Sequence, residues 1–308
     1  MKKTKIMIIT LIILISFVGC NEDVVNEQEQ KRPTIAVSIV PQKTFVKAVG
    51  GDLVNVVTMI PPGNSPANYQ PTPKEIKDFS DASLYFSIGV PTEKANILPK
   101  IKDLNKNLKV IALEEKVSKK YPDRYIEGEG TSEDHDDDHD HDHKGRDPHI
   151  WLSPKRVQVM IEVIRDELIK LDSDNRATYE KNANEYIDKL KGVDQEIKGT
   201  LKGVKKKTII AYHPSFGYFA DDYGLNMLVI EDEGKEATAK RLKDIINIAK
   251  TNNIKFVFYQ AEFDDSQAKI IANEINGETV KLDPLASDYI NNLKNIAEKF
   301  KEVGKGKE

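Results

Sequence analysis

Five of the six histidines in this chain fall between His135 and His149. The tract from Glu133 to His143 holds only imidazole and carboxylate side chains, donors that suit Zn²⁺ and similar borderline ions. It has no apolar residue with which to bury itself, so a solvated, mobile loop is expected, with His135, His139, His141 and His143 as auxiliary metal donors. Six residues further on, Asp147-Pro148-His149-Ile150-Trp151-Leu152 sets a histidine in an apolar, ordered context. A mobile ligand tract beside a fixed histidine points to a protein that gathers and holds metal. Two more donors stand just after apolar runs: His213 in Ala211-Tyr212-His213-Pro214-Ser215-Phe216, and Asp283 in Lys281-Leu282-Asp283-Pro284-Leu285.

The elements that must position them alternate strand and helix. Buried-strand runs are expected at Thr34 to Val40, Val54 to Met59, Leu84 to Ile88 and Lys109 to Ala112. They resume at Thr208 to Tyr212, Met227 to Ile230, Phe256 to Tyr259 and Thr279 to Leu282. Helical stretches such as Pro73 to Phe79, Lys240 to Lys250 and Ser266 to Ile275 lie between them. The fold class expected is α/β: two mostly parallel sheets, each covered by helices. Between them Tyr179, Ala183, Tyr186, Leu190, Val193, Ile197, Leu201 and Val204 recur at steps of three and four. That spacing predicts an amphipathic helix of about seven turns, capped by Ser173 or Asp174 and weakened by Gly192, Gly199 and Gly203. Such a helix is a stiff spine between two lobes; pairing with a coiled-coil partner is the other use of the stripe. In open α/β sheets ligands bind beyond the carboxyl ends of the strands, so His149, His213 and Asp283 are candidates to converge on one interlobe cleft. The competing reading is structural: a histidine after a strand is often a loop hydrogen-bonder, and Asp-Pro is a common turn.

The front of the chain says where it works. Lys2, Lys3 and Lys5 precede the apolar run Ile6 to Val18, followed by Gly19 and Cys20. This has the form of a secretory signal, too short for a permanent span of about 20 residues. Phe17-Val18-Gly19-Cys20 resembles a bacterial lipoprotein cleavage box, with Phe17 where leucine is usual and Cys20 as the lipidated residue. Cys20 is the single cysteine, which rules out an internal disulfide. The organisation expected is a signal peptide over 1–20, a flexible tether over 21–32, and an N-terminal α/β lobe over 33–172 carrying the His-rich loop 131–146. A linking helix over 173–204 and a C-terminal α/β lobe over 205–308 follow. The formal charge of −4 becomes about three units more negative without the signal, and no basic patch interleaved with aromatics suggests nucleic acid. No His-Glu-x-x-His, nucleophile elbow or Walker loop is present, so an enzyme is not expected.

Taken together, Pro61-Pro62-Gly63-Asn64-Ser65-Pro66, Ile88-Gly89, Asp147 to Pro154, His213 to Phe219 and Leu282 to Leu285 resemble the cluster A-I solute-binding lipoproteins of zinc and manganese ABC importers. The resemblance spans Pro33 to Phe300. It implies two α/β lobes bridged by a long helix, a metal held between them by His149, His213 and Asp283, and a monomer that serves a cognate ABC permease and ATPase from a lipid anchor at the cell membrane. The acidic histidine tract is typical of the zinc branch. One position departs from the pattern: Ala67 stands where the family's first ligand histidine belongs. The fourth position then falls to water, to Asn68, Tyr69 or Gln70, or to a carboxylate such as Glu231 or Glu262. Imidazole at His213, rather than carboxylate, favours Zn²⁺ over Mn²⁺. An organic or metal-complex solute, lined by Tyr69, Tyr212, Phe216 and Tyr259, and a surface adhesin are the alternative functions.

Overall fold

β-Branched and aromatic runs that the sequence leaves too apolar for solvent pair here into two parallel sheets. The computed structural model describes residues 32–126, 145–231 and 235–305; Cys20, nearly all of the expected tether and the four tract histidines lie outside them. The first sheet is built from β1 (Thr34–Val37), β2 (Asn55–Thr58), β3 (Leu84–Ser87) and β4 (Lys109–Ala112), in the order β2-β1-β3-β4. Its helices are α1 (Val40–Gly50), α2 (Pro73–Ser80), α3 (Leu98–Leu104) and α4 (Leu113–Ser118), with α5 (Pro154–Leu171) beyond the His-rich segment. After α6 (Arg176–Leu201) the plan repeats. β5 (Thr208–Ala211), α7 (Gly217–Tyr223), β6 (Asn226–Val229), α8 (Ala239–Thr251), β7 (Phe256–Gln260), α9 (Ser266–Glu274), β8 (Glu278–Leu282) and α10 (Tyr289–Lys305) give a second sheet in the order β6-β5-β7-β8. The described residues form one compact unit.

The two-residue period of a strand divides the core. Ile35 and Val37 of β1, Phe86 of β3, Ile209 and Ala211 of β5 and Phe258 of β7 all enter one continuous apolar cluster. Their alternates face outward into smaller clusters: Ala36 and Tyr85 in one, Ile210 and Val257 in the other. Both faces of each sheet are therefore covered, as parallel sheets require. The central cluster is closed by α6, whose Tyr179, Ala183, Leu190 and Ile197 are fully buried. α1, α5 and α10 contact that helix, so its apolar stripe belongs to the core rather than to a coiled-coil partner.

Three local expectations are corrected. The apolar run does not continue as strand to Val40: β1 ends at Val37, and Val40-Pro41 opens α1. The Gln42 carboxamide accepts the amides of Ser38 and Ile39 at 3.0 and 3.1 Å and donates to Phe86 O at 2.9 Å, which fixes the turn. Neither Ser173 nor Asp174 caps α6; they lie in a short 3₁₀ turn, Ser173–Asn175, and Asp172 instead accepts from Asn175 and Tyr179. Val204 is buried but lies beyond the helix, after Gly203 turns the chain at φ +85°. No described helix is long and apolar enough to cross a membrane.

Candidate metal centre

The carboxyl ends of both sheets open onto one cleft of about 1340 Å³. Ser65 to Asn68 after β2, and Val90 and Pro91 after β3, line it from one side. His213 after β5, Glu231 after β6, and Glu262 and Phe263 after β7 line it from the other. His149 and Trp151 reach it from the turn before α5. This is the location that parallel α/β topology predicts for a ligand.

Two predicted donors meet there. His149 Nε2 and His213 Nε2 face each other at 3.3 Å, with the rings nearly perpendicular at 78°. Each ring is held from behind by a buried carboxylate: Asp147 Oδ1 lies 2.7 Å from His149 Nδ1, and Glu231 Oε1 lies 2.6 Å from His213 Nδ1. A carboxylate at Nδ1 draws the proton there and leaves the Nε2 lone pair free. Two facing lone pairs repel unless a cation or proton lies between them. For Zn–N distances of about 2.0–2.1 Å and a tetrahedral angle, the expected N···N separation is about 3.3 Å. The pair already has that spacing.

The surroundings hold these rings in place. Phe263 stacks on His213 with centroids 4.4 Å apart, and Gln260, fully buried, donates to His213 O and Ser215 Oγ. Burial would raise the Asp147 carboxyl, but the hydrogen bonds from His149 and the charge of Arg124 bring it below its usual value. Arg124 Nη1 lies 3.1 Å from Asp147 Oδ2, and its Nε lies 3.2 Å from Asp221. A Cβ at position 217 would lie 2.5 Å from Arg124 Nη1 and 2.7 Å from Asp147 Oδ2, so Gly217 permits this close approach. Burial also lowers the His213 imidazole below its ordinary value, against the pull of Glu231; this keeps the ring neutral and able to bind metal.

The remaining expected donors are distributed differently. Asp283 follows β8 as expected and is exposed; its Oδ1 accepts Leu285 N at 2.9 Å within its own turn. Glu262 lines the cleft with one buried carboxylate oxygen that has no hydrogen-bond partner among the described residues. Burial raises its carboxyl, and the charge of Asp283 adds to this. Tyr69 turns its hydroxyl to Glu75 at 2.8 Å, and burial with that contact pushes the phenol up to about 12. Asn68 lines the cleft, and Gln70 is exposed. Among the described residues no three histidine or acidic side chains already converge as a metal cage. Of the aromatics considered for an organic solute, Phe216 is fully buried against Phe300, and Tyr212 sits in the core of the second sheet's outer face. The sequence reading missed Asp147 as the group behind His149, although an acid two residues before a histidine was its signal. It treated Glu231 only as a ligand, whereas its carboxylate here orients His213.

Two parallel α/β lobes on a helical spine, with an imidazole pair facing across the cleft at the carboxyl ends of their strands, define a two-lobed α/β protein with a candidate metal site. Residues 35–303 match the profile of the family described as zinc-uptake complex component A, periplasmic, and the chain belongs to that family. It is 31% identical over 291 residues to the zinc-binding lipoprotein AdcA of Streptococcus pneumoniae, covering 93% of this chain and 56% of that one. It is 31% identical over 280 residues to the high-affinity zinc uptake system protein ZnuA of Bacillus subtilis, covering 88% and 82%. The chain thus spans about half the length of the pneumococcal lipoprotein. Among solved structures it resembles a crystal structure of ZnuA, with TM-score 0.79, 36% identity and coverage of 88% and 99%. A ZnuA deletion mutant with zinc bound matches with TM-score 0.80, 35% identity and coverage of 90% and 99%.

Proposed function

We propose that this chain is the extracytoplasmic zinc-capturing component of an ABC importer. It takes Zn²⁺ between His149 and His213, with Asp283 as a carboxylate ligand, and delivers it to a membrane permease driven by an ATPase. The observation that carries this reading is the pair of Nε2 atoms at 3.3 Å, each backed by a carboxylate on Nδ1. Imidazole donors favour zinc over manganese. The reading assigns binding and transfer and no catalytic step. Lipidation of Cys20 would hold the domain at the membrane, and two or more acyl chains give stable anchoring where one does not.

Competition with a chelator of known zinc affinity tests the site. The purified protein should bind one tight Zn²⁺, and His149→Ala and His213→Ala should each weaken it at least about 10-fold, the equivalent of about 1.4 kcal/mol. Affinity unchanged in both variants contradicts the reading.

A further inference from the structure

The loop that faces the histidine pair offers weak donors. Across Ser65, Pro66, Ala67 and Asn68 it presents a hydroxyl, a ring, a methyl and a carboxamide to the cleft, and the Ser65 hydroxyl already accepts Ala67 N. Zinc and similar ions prefer four strong donors, so two imidazoles and Asp283 leave one place. Across the cleft, Glu262 follows β7 on the segment that Phe263 presses against His213. Its Oε2 is buried with no hydrogen-bond partner among the described residues. A buried, unpaired carboxylate oxygen is costly, and a second acid nearby adds to the cost; a cation between them removes both penalties.

We propose that Glu262 is a ligand of the captured ion, completing a site of two imidazoles and two carboxylates: His149, His213, Asp283 and Glu262. This inference rests on the zinc-capture reading. The donor set has a consequence for selectivity. Carboxylates suit harder ions such as Mn²⁺ and imidazoles suit Zn²⁺, so exchanging Glu262 for a third imidazole should widen the preference for zinc.

Zinc and manganese affinities are to be measured by chelator competition in the parent protein, Glu262→Gln, and the double variant Ala67→His with Glu262→Gln. Glu262→Gln should weaken both ions at least about 10-fold while leaving the circular dichroism spectrum unchanged. Adding Ala67→His should restore zinc and leave manganese weak. Unchanged affinity in Glu262→Gln, with binding lost in His213→Ala, overturns the role of Glu262 and leaves the capture reading standing. A parent protein that binds no zinc overturns the capture reading itself. If Glu262→Gln does not fold, a crystal structure of the zinc-loaded parent decides: a Glu262 oxygen about 2.0–2.2 Å from the ion supports the inference, and water or any other donor in that place overturns it.

Discussion

The carboxylates behind the two imidazoles decide what each ring can do. Asp147 and Glu231 fix the tautomer and aim the Nε2 lone pairs, and such outer partners typically control metal affinity by 10- to 100-fold. Asp147→Asn and Glu231→Gln should therefore each lower zinc affinity by about that factor while keeping the protein folded. Isothermal titration of the two variants measures it, and affinities equal to the parent's would show that the rings are aimed by packing alone. Asp147 also anchors Arg124, so its replacement should disturb the mouth of the cleft more than that of Glu231. At this scale sequence was a partial guide. His149 and His213, the two donors that meet in the cleft, stand out by residue type, His213 just after an apolar run and His149 just before one. The pairing of Arg124 with Asp147 and Asp221 does not, because charges far apart in the chain carry no periodic signal.

At the scale of elements, the ends of the strands carry the burden of positioning. Beyond β3, Glu93 is buried, accepts a hydrogen bond from Ser38, and takes the amides of Ile88 and Gly89 at 2.8 and 2.7 Å. Burial pushes its carboxyl up to about 7; the hydrogen bond from Ser38 opposes this, and the charge of Glu114 reinforces it. A carboxyl raised above its unfolded value of 4.5 contributes stability that is complete below that pH and is lost as pH rises through about 7. Glu93→Gln is neutral throughout, so its melting temperature relative to the parent should climb between about pH 5 and about pH 8. A constant or shrinking difference would contradict the assignment. The central strands were legible because β1, β3, β5 and β7 are apolar runs whose alternate residues enter opposite clusters. The start of α1 was not, since Val40 prolongs the apolar run and only the Gln42 side chain, bonded across to Phe86, ends the strand.

At the scale of the whole molecule, side-chain ties join the two sheets' halves around α6. Trp151 Nε1 donates to Pro284 O at 2.8 Å, Tyr289 donates to Trp151 O at 2.6 Å, and Arg156 and Ser153 hold the half-buried Asp222. These ties keep the histidine pair in register across the cleft. The two-lobe plan and the spine were legible from the repeat of strand and helix and from the stripe on α6; the ties were not, because each joins residues distant in the chain. The ends of the segment 127–144 are brought together by the antiparallel bridge of Tyr125 with Arg146 and by the bond of Ile126 N to Gly145 O. Deleting Glu133 to His143 should therefore spare the fold and the tight cleft site, and remove only additional, weaker zinc equivalents. Calorimetric titration that finds the tight site gone would place one of the tract histidines in the cleft.

The most direct measurement is a crystal structure of the zinc-loaded protein with anomalous data collected at the zinc edge. The account predicts one strong peak between His149 and His213, about 2.0–2.1 Å from each Nε2, with carboxylate oxygens completing the sphere. A cleft without an anomalous peak, with zinc found only at the tract histidines, would contradict it.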